Sequence, residues 1–170
     1  MAIISYIQWK SAVIDVIDYQ RLFLQLINGY RARHHSPPLF PSAELNHEAV
    51  KCAQFYAIKG NITRSCPYKP TNSTETIYSH NGNKSSFGVP YEDVLRDTLN
   101  DWYSQESVFD YDSSVQLSPT GNFAKMVWRS SKNVGFGIGK HGHMVVGYAL
   151  YNPVAVFNDT VELKKNVLRP

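Results

Sequence analysis

Cysteine is almost missing from this chain: 170 residues hold only Cys52 and Cys66. That count excludes a disulfide-stapled scaffold and a zinc-ribbon spacing. An excess of one charge is missing too. Seventeen Lys and Arg stand against fourteen Asp and Glu, for a net charge of +3. The cations are scattered, with no basic run interleaved with aromatics, so no nucleic-acid partner is expected. A sequence pI near 8.8 allows a weak preference for anionic surfaces and nothing stronger. Long apolar runs are also lacking. The opening MAIISYIQWKSAVIDVIDYQ is broken by Lys10 and Asp15 and has neither a basic leader nor a small-residue cleavage site. Neither a signal peptide nor a membrane span is expected from it. Ala2 excludes the myristoylation pattern. There are no internal repeats, no G-x-S-x-G, no H-E-x-x-H, no P-loop and no dinucleotide fingerprint. Motifs alone therefore point to no catalytic residue, no cofactor and no metal.

What is present is the composition of one globular domain, 43% hydrophobic and 18% charged. DYQRLFLQLINGYRARHH, from residue 18, reads as a helix with Leu22, Phe23, Leu26, Ile27 and Tyr30 on its apolar face. His34 and His35 close it, where a cation suits the helix C-terminus. Ser42 can cap a second helix that Gly60 ends. Residues 61–73 read as a polar loop and TETIYS, 74–79, as a short strand. A third helix begins near Tyr91, with Val94, Leu95, Thr98 and Trp102 facing inward. VGFGIGK and MVVGYALY, joined by HGH, read as a hairpin, with His141 and His143 in its solvated turn. Gly135, Gly137 and Gly139 leave one face of the first of these strands almost bare, so another backbone can pack close to it. This order predicts an α+β fold, helices covering an antiparallel sheet.

Cys52 shares an apolar helical stripe with Leu45, Ala49 and Tyr56, which suits a buried thiol. A Cys52–Cys66 bridge instead requires the chain to fold back after the second helix, in an oxidising compartment. Four sequons, at Asn61, Asn72, Asn83 and Asn158, are glycosylation candidates if the chain enters the secretory route. About one or two such matches are expected by chance.

Five segments, in order, resemble the CAP superfamily of cysteine-rich secretory, antigen five and pathogenesis-related proteins. INGYRARHHSPPL resembles the family's first-helix signature, LNHEAVKCAQFYA its second helix and TETIYS its Gly-Glu-Asn-Leu strand. DWYSQE resembles its Trp-Tyr-x-Glu helix end, and GNFAKMVWRSSKNVGFG its Gly-His-Phe-Thr-Gln-x-x-Trp signature. The closing NVLRP and the scarcity of cysteine resemble the Golgi-associated plant pathogenesis-related subgroup. The likeness covers residues 18–170 as one CAP (SCP) domain. It leaves 1–17 as an extension whose Ile3, Ile4, Ile7, Trp9, Val13 and Ile17 either contact a membrane or pack on the domain.

The resemblance implies an α-β-α sandwich with a central cleft of two histidines and two acids that can hold zinc. Here only Glu75 matches that set. Asn122 and Gln105 stand where a histidine and an acid are expected, Glu106 is adjacent, and Arg64 falls near the loop histidine. In the first helix Ile27 replaces the signature histidine, while Asn28 and Arg31 remain. Amides ligate zinc poorly, and an arginine repels it and pairs with Glu75. The expectation is thus a non-enzymatic binding protein with a degenerate cleft. Its partners by resemblance are a lipid, sterol or membrane surface, or a protein, including a second copy. The alternatives are a protease-like hydrolase using Glu75 and a dimerising structural paralogue. The family and the sequons imply secretion. The subgroup and the absent leader imply the cytosol or the Golgi surface.

Overall fold

The computed structural model describes residues 2–112, 121–157 and 159–170, with side chains from Asp18 onward within them. In chain order the elements are α1 (Ala2–Arg33), β1 (Phe40–Pro41), α2 (Ala43–Lys59), β2 (Thr74–Asn81), α3 (Tyr91–Ser104), α4 (Gly121–Met126), β3 (Asn133–His141), β4 (Met144–Asn152) and α5 (Thr160–Asn166). Short 3₁₀ turns at Ser86–Gly88 and Gln105–Val108 flank α3. The sheet order is β1-β3-β4-β2. β3 pairs antiparallel with β4, and β4 with β2, while the two-residue β1 joins β3 in parallel.

The helix boundaries follow local chemistry. Ser42 accepts the Leu45 amide at 3.2 Å and opens α2, and Gly60 closes it in the left-handed conformation, donating to the Tyr56 carbonyl. Asp159 caps α5 by accepting from Val161 and Glu162. α1 starts at Ala2, sixteen residues before the predicted start at 18. No glycine or proline lies between residues 2 and 28 to interrupt it. The side chains of the apolar extension, 1–17, lie outside the described residues.

Two apolar layers sandwich the sheet. On one face α2 contributes Leu45, Ala49, Cys52, Ala53 and Tyr56 against Ile77, Val146, Tyr148 and Leu150. On the other, Tyr19, Phe23 and Ile27 of α1, Leu95, Leu99 and Trp102 of α3, and Phe123 and Met126 of α4 meet Phe136, Ile138, Ala149 and Tyr151. Trp128, just past α4, joins this second layer. Gly121–Met126 is thus a short helix, and the apolar residues of GNFAKMVW enter the core.

The bare face of β3 meets α2 directly. A Cβ at residue 135 would fall on the Leu45–Asn46 backbone, one at 137 on Ala49–Val50 and one at 139 on Ala53–Gln54. A helix turn therefore rests where each side chain would be. The hairpin turns through Gly142 (φ +56°) and His143, and His141 and His143 are exposed. Gly137→Ala is expected to destabilise the domain by about 3 kcal/mol or more, because backbone must move. Gly29→Ala, on α1 with nothing within 4 Å of the added Cβ, is expected to stabilise by about 0.5–1 kcal/mol. Urea unfolding of the two variants checks both signs.

Candidate functional site

The candidate site is built along β2. Glu75 is 8% exposed. Its Oε2 accepts from the Tyr148 hydroxyl on β4, and its Oε1 lies 3.4 Å from Arg64 Nη1. Burial, and then the neighbouring carboxylate, push the Tyr148 phenol well above its ordinary range, so this hydroxyl remains a donor. Two residues along β2, the Ile77 carbonyl accepts from Asn122 Nδ2 at 3.1 Å. Gln105, directly after α3, turns its Oε1 to the backbone amides of Asn122 and Phe123, at 3.1 and 3.3 Å. It satisfies two of the orphan N–H groups of α4, the work of a capping side chain.

The four candidates thus come together as two pairs, Glu75–Arg64 and Gln105–Asn122, joined through β2. Glu106, the neighbouring acid, is held elsewhere by the Tyr111 hydroxyl at 2.9 Å. Among the described residues no group of three or more His, Cys, Asp and Glu gathers at one point.

The loop that carries Arg64 is tied down from both ends. Cys52 on α2 is bonded to Cys66, with Cα atoms 5.6 Å apart, so the buried free thiol of the sequence reading is replaced by a bridge. Tyr56 adds a second tether, its hydroxyl accepting the Cys66 amide at 2.9 Å. Arg64 itself sits at φ +53°, a left-handed conformation that disfavours a side chain bearing Cβ. Lys69, further along, donates to the Ser73 carbonyl at 2.9 Å, just before β2.

Two further residues escape the sequence reading. His34, expected to close α1 where a cation suits the helix C-terminus, is fully buried. Its ring nitrogens bond the Leu168 carbonyl at 2.8 Å and the Tyr103 hydroxyl at 3.1 Å, because the C-terminal segment folds over it. Lys125 lies one turn beyond Asn122 on the same face of α4 and is half-buried. Burial and then Arg64 pull its ammonium down to about 8, Glu75 opposes them, and Lys69 lowers it further. Its place inside GNFAKMVWRSSKNVGFG, the segment that resembles a family signature, was the available signal.

The signature residues that remain serve structure. Arg31, wholly buried, donates to the carbonyls of Pro37, Met126, Trp128 and Ser131. Asn28 clasps Leu39 through both its amide and its carbonyl, at 3.0 and 2.8 Å. Of the sequon asparagines, Asn61, Asn72 and Asn83 are exposed, and Asn158 lies outside the described residues. Away from β2, an apolar groove of about 460 Å³ runs along the outer side of α2, lined by Phe55, Ile58 and Tyr68 with Lys51, Gln54 and Lys59.

Comparison with known proteins bears on the family and the fold. Residues 24–151 match the family described as "CAP: Cysteine-rich secretory protein family". A human relative, "Golgi-associated plant pathogenesis-related protein 1", is 28% identical over 114 residues, covering 67% of this chain and 68% of its own. Solved structures with the same fold include "BmVAL-1" (TM-score 0.62, 16% identity, 81% of this chain and 77% of that one). "NaASP2 with Zn2+" superposes at TM-score 0.62, with 15% identity over 81% and 82% of the two chains. "Schistosoma mansoni venom allergen-like protein 4" does so at 0.61, with 14% identity over 89% and 96%.

Lys125 supplies a test of these electrostatics. Its folded pKa, about 8, lies below the ordinary 10.5, so the charged form is disfavoured in the fold. The penalty is present below pH 8 and fades as pH rises toward 10.5. Lys125→Met, which keeps the apolar stem, is expected to raise the melting temperature at pH 7, with the gain shrinking as pH approaches 10. Thermal melts across that range measure it.

Proposed function

We propose that this chain, which belongs to the CAP family of cysteine-rich secretory proteins, works by binding rather than by catalysis. One observation carries the reading: every candidate cleft group is already committed to an intramolecular partner. Glu75 is held by Tyr148 and Arg64, Gln105 caps α4, and Asn122 holds the β2 backbone. A general base needs a lone pair free for its substrate, and the partner histidine of a hydrolase is missing from this set. Zinc needs several nitrogen, sulfur or carboxylate donors. Here the one carboxylate, Glu75, is held by Tyr148 and Arg64, and its neighbours Gln105 and Asn122 are amides, so these residues do not fit that ion.

The ligand we assign is an amphiphilic lipid with an anionic head, bound in the groove on α2. Ile58 is 60% and Tyr68 43% exposed there. Lysines stand over the aromatic rings, Lys51 4.1 Å from the Tyr68 centroid and Lys59 5.4 Å from that of Phe55. An apolar floor with cations above it complements a chain and an anionic head. Calorimetry with zinc is expected to show no stoichiometric site, and a tight one-to-one isotherm would overturn that part. With a fluorescent fatty-acid analogue, Ile58→Asp is expected to weaken binding about tenfold at unchanged melting temperature. Equal affinity of variant and wild type would remove the groove from the proposal.

For location we favour the secretory route. The Cys52–Cys66 bridge suits an oxidising compartment, and three sequon asparagines are exposed. Similarity to a relative named as Golgi-associated supports the alternative, a peripheral place on that membrane. No helix among the described residues is long and apolar enough to cross a membrane. Glycosidase treatment of the native protein is expected to increase its mobility. Unchanged mobility, with the protein retained in cells, would favour the Golgi surface.

A further inference from the structure

The groove on the outer side of α2 has two walls of different origin. Lys51, Phe55, Ile58 and Lys59 belong to the helix, whereas Tyr68 comes from the loop that returns after it. Tyr68 is set in place from Cys66. In the turn 66–69 the Lys69 amide donates to the Cys66 carbonyl at 3.3 Å, with Pro67 and Tyr68 at the two central positions. Lys51 reaches across from the helix, 4.1 Å from the Tyr68 ring centroid. We propose that the Cys52–Cys66 bridge is a redox latch for this wall, holding Tyr68 against the groove when oxidised and releasing it when reduced.

The fold makes reduction a local event. α2 rests on the bare face of β3 through its own backbone, at residues 45–46, 49–50 and 53–54, so its seat does not depend on the bridge. Cys52 is wholly buried in the layer of Leu45, Ala49, Tyr56 and Leu150, where a thiol packs as a small apolar group. On the loop side, the contacts that outlast reduction are single hydrogen bonds. Tyr56 accepts the Cys66 amide at 2.9 Å, Arg64 meets Glu75 at 3.4 Å, and Lys69 donates to the Ser73 carbonyl at 2.9 Å. Net of the water that each replaces, such bonds contribute modestly. The bridge instead closes a loop between residues 14 apart, and that closure restricts even the opened loop. The left-handed backbone at Arg64, φ +53°, favours relaxation once the cross-link is gone.

The step is thiol–disulfide exchange with a dithiol. One thiolate of the dithiol attacks Cys66 Sγ, on the partner that keeps 8% exposure. The Cys52–Cys66 bond breaks, and Cys52 leaves as a thiolate that takes up a proton. The second thiol of the reagent then displaces Cys66, which is protonated in turn. Two electrons and two protons pass to the protein as two cysteine thiols, and the dithiol ends as a cyclic disulfide. The effect on a ligand rests on the groove reading above, whereas release of the loop does not. The two locations considered for the chain then differ in the state of the groove: latched in the oxidising secretory route, released on a surface facing the reducing cytosol.

Limited trypsin digestion of the whole chain tests the latch. Arg64 and Ser65 are exposed, so the bond between them is cut as fast as the loop opens. Lys84, exposed past the end of β2, is the internal reference. Oxidised protein, protein reduced with dithiothreitol, the same protein reoxidised, and Cys66→Ser are compared by mass spectrometry of the fragments. The fluorescent fatty-acid analogue is titrated into each form in parallel. Reduction is expected to accelerate cleavage after Arg64 by about tenfold or more, to leave cleavage after Lys84 unchanged and to weaken the analogue about tenfold. Reoxidation reverses both effects, and Cys66→Ser behaves as the reduced protein with or without dithiothreitol. Faster cleavage after Arg64 in a protein that binds no analogue in either state supports the latch and removes the amphiphile reading. The proposal is overturned if cleavage after Arg64 is the same in both states, or if every site accelerates together, the mark of global unfolding. Binding of the analogue to both states with equal affinity overturns it too. Reduced wild type keeps the test open if Cys66→Ser fails to fold.

Discussion

Contact between the backbone of α2 and the glycine face of β3 fixes the rest of the molecule. Residues 135, 137 and 139 offer no side chains, so the helix settles onto the strand one turn per glycine. That closeness sets where the next features of α2 fall. Cys52 and Tyr56 end up beside the returning loop, and both hold Cys66. The held loop carries Arg64 to Glu75 and Lys69 to Ser73. A side chain on any of these glycines would lift α2 and disturb this series of contacts, although none of the glycines touches the site.

The opposite layer is governed by size and by polar satisfaction. Stacked Phe23 and Phe136, with Trp102 edge-on to both, fill the space between α1, α3 and the sheet. Arg31 enters this layer without a carboxylate and is satisfied by four carbonyls. Removing it would strand those acceptors together with the segments at 37 and 126–131. The outer edge of β3 is closed in a similar way. Phe136 bonds Asn46 and Gln20, Ile138 reaches Tyr19, and Lys140 pairs with Gln54. Side chains occupy groups that would otherwise invite another strand, so pairing of two copies through this edge is disfavoured.

Two side-chain amides hold the helix–strand junction at the cleft. Gln105 and Asn122 fasten α4 to α3 and β2. The apolar groove on the outer side of α2 is a separate surface.

Much of this arrangement was legible in the sequence. Apolar spacing marked α1 from residue 18, the Ser42 and Gly60 caps bounded α2, alternation around HGH gave the hairpin, and the glycine triplet announced a close neighbour. Five motifs in order identified the family, and its signatures named Glu75, Gln105, Asn122 and Arg64 as the residues to watch. These features are local: each depends on periodicity, a cap or a turn within a few residues. Tertiary structure decided the rest. It paired Glu75 with Tyr148, 73 residues away, buried His34 beneath a C-terminal segment 134 residues later, and joined Cys52 to Cys66 where the apolar stripe suited a buried thiol. It also half-buried Lys125, one turn beyond Asn122 on α4. None of these outcomes has a local signature, because contacts between distant segments depend on how whole layers pack, and here that packing begins with three missing side chains on β3.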